Sequence, residues 1–508
     1  MNRSTHPINP AKISAMKRAC LIVGLIQTFI LVGFAVGLAG KWFPLGVRGE
    51  WEWLRLRDLT PINPVSLGLA AVVVAGYAGF VALGARSLVR VDSIAREAAW
   101  VVALAIGAVF VQGITQEGAP EGLGLAKWII ALQSSGSSGY HTVARREMPG
   151  GLGPFLRDYP AWIERQDSLH IGTHPPGLFV VARVLDDLTR DHPELSRRII
   201  ALAPGSVGAA IRLYRGSGAL GRDEAAALTL TGALTLLGSA LTVIPLYLLA
   251  RAEGSAVVAW AAATLWPLMP AAIMFQPTAD TAFPFLSVSS MAAAVWAVRS
   301  SRMGTQAMLA VAAGLILAMG MGFTLAFLAV GLVVAIPLLT APRPFGWKTR
   351  IGLIVLTGFG FAVATAAWWI ATSANPLAIW WTNQNHHAQF YRDYPRSRLA
   401  WAGVNLVEST VAVGLASTVW AAGGLARFRT VPRSTWATLA VLVLLTASGR
   451  SLSEVARLWL PMYPPILLGS AVAWNRLGAS PLSLGWTVGL VGVQTLFLQT
   501  MIQVVYPI

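Results

Sequence analysis

Apolar runs of about 18 or more residues, each long enough to span a bilayer as a helix, alternate along the chain with loops in which arginine and lysine cluster. The pattern predicts an all-α polytopic membrane protein with about thirteen transmembrane helices and a large loop region at its outer face. The predicted spans lie at about 19–41, 65–86, 98–115, 226–250, 255–274, 280–298, two within 306–340, 351–372, 403–425, 435–448, 456–472 and 485–503.

The segment 174–213 has a weaker pattern than the other apolar stretches. Neither 176–188 nor 199–211 is long and uniform enough to indicate a complete span. One of the two could be re-entrant or lie in the membrane interface instead of crossing. The number of helices is therefore uncertain by one in either direction.

The basic residues set the predicted orientation. Lys12, Lys17 and Arg18 precede the first span, so the positive-inside bias places the N-terminus in the cytoplasm. The net charge of +16 is then attributed to the basic loops that orient the helices in the membrane. The expected partner of these loops is anionic lipid headgroups rather than nucleic acid. The only cysteine, Cys20, excludes an internal disulfide framework and a cysteine-based zinc site. Without eukaryotic targeting signals, a bacterial inner membrane is expected.

Counting spans from this orientation brings the polar segments 117–173, 373–400 and 449–457, together with Asp280, to the outer face. The longest polar region, 117–225, contains the segment 167–179 (DSLHIGTHPPGLF). Its paired prolines suit the first turn of a helix, which places His174 near a helix N-terminus, where an anion is favoured. Asp167 and His170 are either part of this site or ordinary residues of a solvated loop.

A second polar block, 382–395 (TNQNHHAQFYRDYP), separates two later spans. His386 and His387 are adjacent, so their side chains diverge on a regular element, and a metal site with Asp393 is only weakly indicated. Arg392 belongs to an Arg-Asp-Tyr-Pro sequence that also occurs at 157–160, and this sequence is equally explained as a turn.

A third polar segment, 451–465, places Arg457 one helical turn after Glu454 at the outer end of a predicted span. An ionisable residue at that depth indicates function, and the planar guanidinium fork suits phosphate. Alternatively, the two residues merely neutralise each other as an ion pair. Glu408 and Asp280 are likewise either functional residues or structural partners of an arginine. The sequence contains no Walker loop, GxGxxG, HExxH or GxSxG motif.

Three segments resemble the GT-C superfamily of membrane glycosyltransferases, which includes protein O-mannosyltransferases and lipid A aminoarabinose transferases. Segment 139–148 (GYHTVARREM), followed by His-Pro-Pro-Gly at 174–177, is similar to the family's first outer loop. Segment 276–285 (QPTADTAFPF) resembles an outer turn that leads into a long helix, and 454–464 (EVARLWLPMYP) resembles the late helix that begins with an arginine. The resemblance implies a family core at 98–475, an N-terminal two-helix addition at 1–97 and a C-terminal helix at 476–508.

The chain departs from the family at the usual catalytic aspartate. Family members carry an aspartate a few residues before the tyrosine, but here residues 135–139 read SGSSG. The catalytic carboxylate is then expected elsewhere, with Asp167 favoured over Glu117 and Asp158, unless the protein is a diverged or inactive member.

The resemblance implies transfer of a sugar from a polyprenyl-phosphate donor to an unknown acceptor at the outer membrane face. Arg457 and His174 are expected to hold the phosphate. No cofactor is firmly implied, a divalent cation is possible, and no residue is assigned as a metal ligand. The remaining predicted substrate-binding residues are His170, His386, His387, Arg392 and Asp280.

Two other functions fit a polytopic chain. A transporter or lipid flippase would also contain scattered ionisable residues, but it would usually show inverted repeats and polar sites midway across the membrane. No repeated halves are visible, and the polar clusters fall at one face. A membrane scaffold without catalysis would explain the missing aspartate but not the polar outer loops.

Overall fold

The computed structural model describes residues 10–56, 61–89, 93–134, 136–166, 168–169, 171–341, 345–426 and 431–505, with the backbone alone for 10–17. The described chain is mostly helical and contains almost no sheet, which confirms the predicted fold class. The helices are α1 (Pro10–Ala39), α2 (Pro64–Leu88), α3 (Ile94–Glu117), α4 (Lys127–Gln133), α5 (Tyr140–Glu147), α6 (Leu152–Ile163), α7 (Gly177–Asp191), α8 (Pro193–Ala201), α9 (Gly205–Gly216), α10 (Arg222–Leu241), α11 (Val243–Glu253) and α12 (Ala256–Leu265).

The second half of the chain continues with α13 (Pro270–Met274), α14 (Phe283–Arg299), α15 (Met303–Met321), α16 (Ala326–Leu339), α17 (Trp347–Thr372), α18 (Pro376–Asp393), α19 (Arg398–Val413), α20 (Leu415–Leu425), α21 (Arg433–Ser448), α22 (Val455–Leu458), α23 (Pro464–Arg476) and α24 (Pro481–Met501). Short 3-10 turns at Ala279–Thr281 and Leu460–Met462 precede α14 and α23.

Eight helices in the described part of the chain are long and apolar enough to cross a membrane, or nine if α19 and α20 form one span. The chain is therefore an integral membrane protein. Each of the thirteen predicted spans coincides with a helix or a pair of helices, but several of these are short or broken. Hydropathy counts such segments as complete spans because it is insensitive to breaks.

Prolines and one glycine account for the main breaks. Pro267 and Pro270 separate α12 from α13, and Pro461 and Pro464 separate α22 from α23, since proline cannot continue a helix across its own position. Between α19 and α20 the chain bends by 113° at Gly414, whose φ of +99° favours glycine.

The uncertain segment 174–213 forms three helices, α7, α8 and α9, none of which is among the candidate spans. Helices α7 and α9 bury one face and expose large apolar side chains on the other, including Val184 at 51% and Leu213 at 72% exposure, and Leu202, just after α8, is 85% exposed. Such amphipathic helices fit the membrane interface, which is the alternative that the sequence left open.

Two small ladders are present in the described chain, a local hairpin and a pairing between distant segments. Strand β1 (Gly46–Val47) pairs with β2 (Trp51–Glu52), and β3 (Leu54–Arg55) pairs with β4 (Ile502–Gln503) beyond α24. Helix α2 also packs along α24, where a Cβ added to Gly485 would lie 2.7 Å from the Ala78 carbonyl oxygen. Small residues allow this close helix approach. The division of the chain at 97 and 475 stays a prediction.

A separate apolar cluster supports the outer polar segments. It contains Phe155, Tyr159 and Trp162 of α6, Phe179 of α7 and Ile379 of α18. The four aromatic rings lie 5.1–6.1 Å from one another, mostly in edge-to-face or tilted pairs. This cluster fixes α7 and α18 relative to each other and so positions the loop between α6 and α7.

Candidate functional site

The loop that contains His174 is held by three side chains from two helices. The Tyr159 hydroxyl donates to the His174 carbonyl oxygen at 2.8 Å. The buried Asn383 amide donates to the Gly172 and His174 carbonyl oxygens at 2.9 and 3.2 Å. His386 donates from Nδ1 to the Gly172 carbonyl oxygen at 2.8 Å. The described parts of the two polar blocks identified in the sequence, 167–179 and 382–395, therefore meet in space.

The start of α7 packs against the end of α15. Pro175 and Pro176 immediately precede the helix, as their sequence predicts, and the Gly177 amide donates to the Gly322 carbonyl oxygen at 2.8 Å. A Cβ at Gly177 would lie 2.4 Å from that same oxygen. Trp380 donates to the neighbouring Met321 carbonyl oxygen at 3.2 Å. Glycine at 177 is thus required by close packing and not by backbone conformation.

Tyr140, the first residue of α5, joins the loop to the rest of the site. Its ring contacts the His174 ring edge-on with centroids 6.0 Å apart. Burial raises the pKa of the Tyr140 phenol, the nearby Asp280 carboxylate adds to this rise, and the charge of Arg457 opposes it. The phenol is therefore a neutral hydrogen-bond donor close to both charged side chains.

Arg457 lies on α22 and is mostly buried. Its Nη2 donates to Glu454 at 2.5 Å, while its Nε is buried with no hydrogen-bond partner among the described residues. Burial would lower the pKa of Arg457, but the carboxylates of Glu454 and Asp280 outweigh it and raise that pKa. The guanidinium stays charged and keeps one donor unused, so the ion pair with Glu454 does not fully satisfy it.

The turn that carries Arg457 is fixed from behind by Glu408. Its buried carboxylate accepts from the Ala456 amide at 3.2 Å and from Trp53 Nε1 at 3.2 Å. Glu454, which precedes α22, has a φ of +53°, and Ser453 has a φ of +77°. Non-glycine residues rarely adopt this conformation, and such strain is concentrated at functional sites.

His387 faces the same cluster, whereas its neighbour His386 holds the loop. Burial, together with charge repulsion from His174, His386 and Arg457, lowers the pKa of His387 to about 4. The imidazole is therefore neutral at physiological pH and adds no positive charge beside Arg457. The described cluster around Arg457 consists of Tyr140, His174, Asp280, His387 and Glu454.

The other predicted site residues lie elsewhere or outside the described residues. Asp158 is exposed on α6, and Arg392 is exposed at the end of α18, where it donates to Gln389 at 2.9 and 2.6 Å. Glu117 accepts from Ser206 and lines a separate cavity. Asp167 and His170 lie outside the described residues, so the favoured catalytic carboxylate stays a prediction.

Two apolar cavities lie near the cluster, one reaching Tyr140 and the other reaching Pro175, the residue after His174. One, of about 340 Å³, is lined by Tyr140, Leu178, Phe283 and other mostly apolar residues. The other, of about 440 Å³, runs past Pro175 and Trp368. Both are walled by Val181, Met319 and Phe323. Apolar chains of a lipid would fit there with a polar headgroup at the cluster.

A second buried polar network escaped the sequence analysis. His141 contacts Asp186 through Nδ1 at 3.0 Å and Thr231 through Nε2 at 2.8 Å, and Arg145 donates to Asp186 at 2.9 Å. Burial would raise the pKa of Asp186, but His141 and Arg145 hold it below its usual value. The one signal in the sequence was an aspartate on the buried face of an amphipathic helix, α7.

Within the described residues, no group of three histidine, cysteine, aspartate or glutamate side chains could hold a metal ion. His386 uses its Nδ1 for the loop, and Asp393 accepts from Ser168 at 3.1 Å and Gln389 at 2.5 Å. The weakly indicated site of these two residues with His387 is therefore not assembled among the described side chains.

No family model matches the chain, and no curated protein matches it. The fold is similar to a solved structure. That structure is the oligosaccharyltransferase of the archaeon Archaeoglobus fulgidus, in complex with zinc and sulfate, with 12% sequence identity and a TM-score of 0.34. The match covers 68% of this chain and 53% of the other, so the chain spans about half the length of that protein. A likeness of this size leaves family and reaction to be argued from the residues themselves.

Proposed function

We propose that the chain is an integral-membrane glycosyltransferase that moves a sugar from a polyprenyl-phosphate donor to an acceptor hydroxyl at the extracytoplasmic face. The observation that carries the proposal is the buried Nε of Arg457, which has no hydrogen-bond partner among the described residues and lies close to Tyr140, a lining residue of one of the two neighbouring apolar cavities. A charged donor beside space for an apolar chain suits a phosphate attached to a lipid. The resemblance of segments 139–148, 174–177 and 454–464 to GT-C enzymes points the same way.

In this proposal Arg457 binds the donor phosphate. Its planar fork donates to one phosphate oxygen from Nε while Nη2 keeps Glu454. The neutral Tyr140 phenol donates a further hydrogen bond, and His174 closes the site through its ring contact with Tyr140. His387 is neutral, so it can donate or accept without repelling Arg457. The isoprenoid chain lies in one of the apolar cavities.

Asp280 is the described carboxylate best placed to act as the base. It is half-buried and close enough to Tyr140 and Arg457 to change the pKa of both. Glu454, by contrast, is engaged with Arg457. In the transfer, the acceptor oxygen bonds to the anomeric carbon and its proton passes to Asp280. The bond from that carbon to the phosphate oxygen breaks, and its electron pair remains on the phosphate, which Arg457 stabilises.

The test is native mass spectrometry of gently extracted protein incubated with polyprenyl phosphate, comparing wild type with Arg457→Ala. Arg450→Ala is the matched control, because Arg450 is an exposed arginine seven residues away. We expect the lipid to bind wild type and the control alike. Arg457→Ala should lose about tenfold or more in affinity, as for a charge-assisted hydrogen bond. Asp280→Asn should keep the lipid but lose transfer.

Equal binding by all three proteins would remove Arg457 from the phosphate site. A soluble small molecule bound in place of any isoprenoid would instead favour the transporter alternative. Comparing Asp167→Asn with Asp280→Asn in a transfer assay distinguishes the two candidate bases. If Asp167→Asn loses transfer and Asp280→Asn keeps it, Asp167 rather than Asp280 is the catalytic base.

A further inference from the structure

A second charged region lies at the opposite membrane end from the Arg457 cluster. Asp280 is in the turn just before α14, and Arg299 is the last residue of that helix. A helix rises about 1.5 Å per residue, so its 17 residues span about 25 Å, close to the thickness of the hydrocarbon core. The two residues therefore lie at opposite ends of one span.

Around Arg299 five helix ends surround a cavity of about 390 Å³. Arg433 starts α21, Arg476 ends α23, and Glu253 ends α11. Pro337, near the end of α16, and Val295 and Val298 of α14 supply apolar walls. The cavity thus combines three arginines with one carboxylate.

The carboxylate does not neutralise the arginines by direct contact. Glu253 accepts from the Ser434 amide at 3.3 Å and from the Ser434 hydroxyl at 3.0 Å. Among the described residues, Arg299, Arg433 and Arg476 form no ion pair and no side-chain hydrogen bond. Three positive charges against one negative charge leave the cavity with a formal charge of +2.

An apolar cavity of about 240 Å³ adjoins the arginine cavity and shares Val431, Val472 and Arg476 with it. It is lined largely by glycine and alanine, including Gly424 and Ala473. A narrow apolar space beside a cationic one has the shape of a phospholipid binding site, with the acyl chain in one part and the phosphate in the other.

We propose that this arginine cavity is a binding site for the phosphate group of an anionic phospholipid, whose acyl chain occupies the adjoining apolar cavity. Basic residues at this membrane end would also arise from topology alone, which requires no specific contact. The cavity goes beyond that requirement because three arginines from three different helices converge on one space. The proposal is independent of the glycosyltransferase function.

The test measures lipid retention by the full-length protein. Purified protein is incubated with dioleoylphosphatidylglycerol or dioleoylphosphatidylcholine and bound lipid is counted by native mass spectrometry. The variants are Arg299→Gln and Arg476→Gln, and Arg302→Gln is the control, an exposed arginine at the same membrane end that does not line the cavity. Each cavity variant should lose phosphatidylglycerol by about tenfold, and the control should lose none.

Three results would overturn the proposal. An equal loss in Arg302→Gln would show diffuse electrostatic attraction instead of a site. Retention of phosphatidylcholine equal to that of phosphatidylglycerol would show that the site does not require a net negative charge on the lipid. Thermal stabilisation by inorganic phosphate that matches that by phosphatidylglycerol, and that is lost in Arg299→Gln, would assign the cavity to a free anion rather than a lipid. Unchanged folding of each variant is checked by its unfolding temperature without lipid.

Discussion

Lys127 is a buried lysine outside the cluster around Arg457. It is 5% exposed, and its Nζ donates to the Met274 carbonyl oxygen at 3.3 Å. Burial lowers the pKa of Lys127 to about 7. A lysine whose pKa is lowered in the folded state carries no penalty in folding free energy at pH values above its unfolded pKa, near 10.5. The penalty grows as the pH falls through that value and is complete below about pH 7.

Replacing Lys127 by methionine should therefore stabilise the protein near neutral pH and do little near pH 10. At about 1.4 kcal/mol for each pKa unit, the gain at neutral pH amounts to several kcal/mol. Thermal unfolding in detergent across this pH range measures it, with Lys348→Met, at an exposed lysine, as the control. A constant difference between wild type and Lys127→Met at all pH values would contradict the burial argument.

At the residue scale, the sequence identified candidate side chains from their type and their position along a span, but it did not show which side chains contact each other. Arg457, Asp280 and His174 were identified because ionisable residues at helix ends are conspicuous in an apolar chain. The network of His141 with Asp186 joins residues 45 positions apart, and no local pattern reveals it. Asp158 and Asp393 occupy equivalent positions in the two Arg-Asp-Tyr-Pro sequences, yet only the structure shows Asp158 exposed on α6 and Asp393 hydrogen-bonded at the end of α18.

At the scale of elements, the contact between α7 and α15 determines where His174 lies. Gly177 brings the two backbones together, and the loop before it is held by α6 and α18. Shifting α7 away from α15 would move His174 relative to Tyr140 without changing any polar side chain.

Gly177→Val should consequently lower polyprenyl-phosphate binding by about tenfold and destabilise the fold, because overpacking typically costs about 1–3 kcal/mol. Native mass spectrometry and the thermal unfolding midpoint measure the two effects. Gly205→Ala is the control, since a Cβ at this helix start meets nothing within 4 Å. Full binding by Gly177→Val would show that the close packing does not position His174.

Elements were predictable where one apolar run makes one uninterrupted helix, as in α2, α14 and α17. They were not predictable where a side chain replaces backbone hydrogen bonds. At the 113° bend the Gln494 amide accepts from the Leu415 amide at 2.8 Å and donates to the Val411 carbonyl oxygen at 2.9 Å. A glutamine 79 residues from the bend satisfies the broken helix, so the sequence around Gly414 gives no sign of it.

For the whole molecule, the hairpin after α1 connects the N-terminal helices to the site. Glu50 accepts from Trp401 Nε1 at 2.6 Å and from the Ser397 amide at 3.0 Å. Trp53 in turn donates to Glu408, which holds the turn carrying Arg457. A change in the hairpin is thus expected to reach the proposed phosphate site through one buried carboxylate, that of Glu408.

Glu50→Gln should weaken this connection and increase amide hydrogen exchange in both the hairpin and α22. Glu52→Gln, at an exposed neighbour, should leave both unchanged. Each lost hydrogen bond to a charged group is worth about 1.5–3 kcal/mol, which raises local opening by about tenfold or more. Exchange that increases in the hairpin alone would separate it from the site.

The pairing of β3 with β4 also determines whether the chain between them crosses the membrane an odd or an even number of times. Hydrogen-bonded strands lie on one side of the membrane, so the chain between Arg55 and Ile502 crosses an even number of times. Of the eight long helices in the described chain, seven follow Arg55, which is an odd number. If all seven cross the membrane, at least one short or broken segment crosses as well, so a two-residue ladder constrains the topology of the entire bundle.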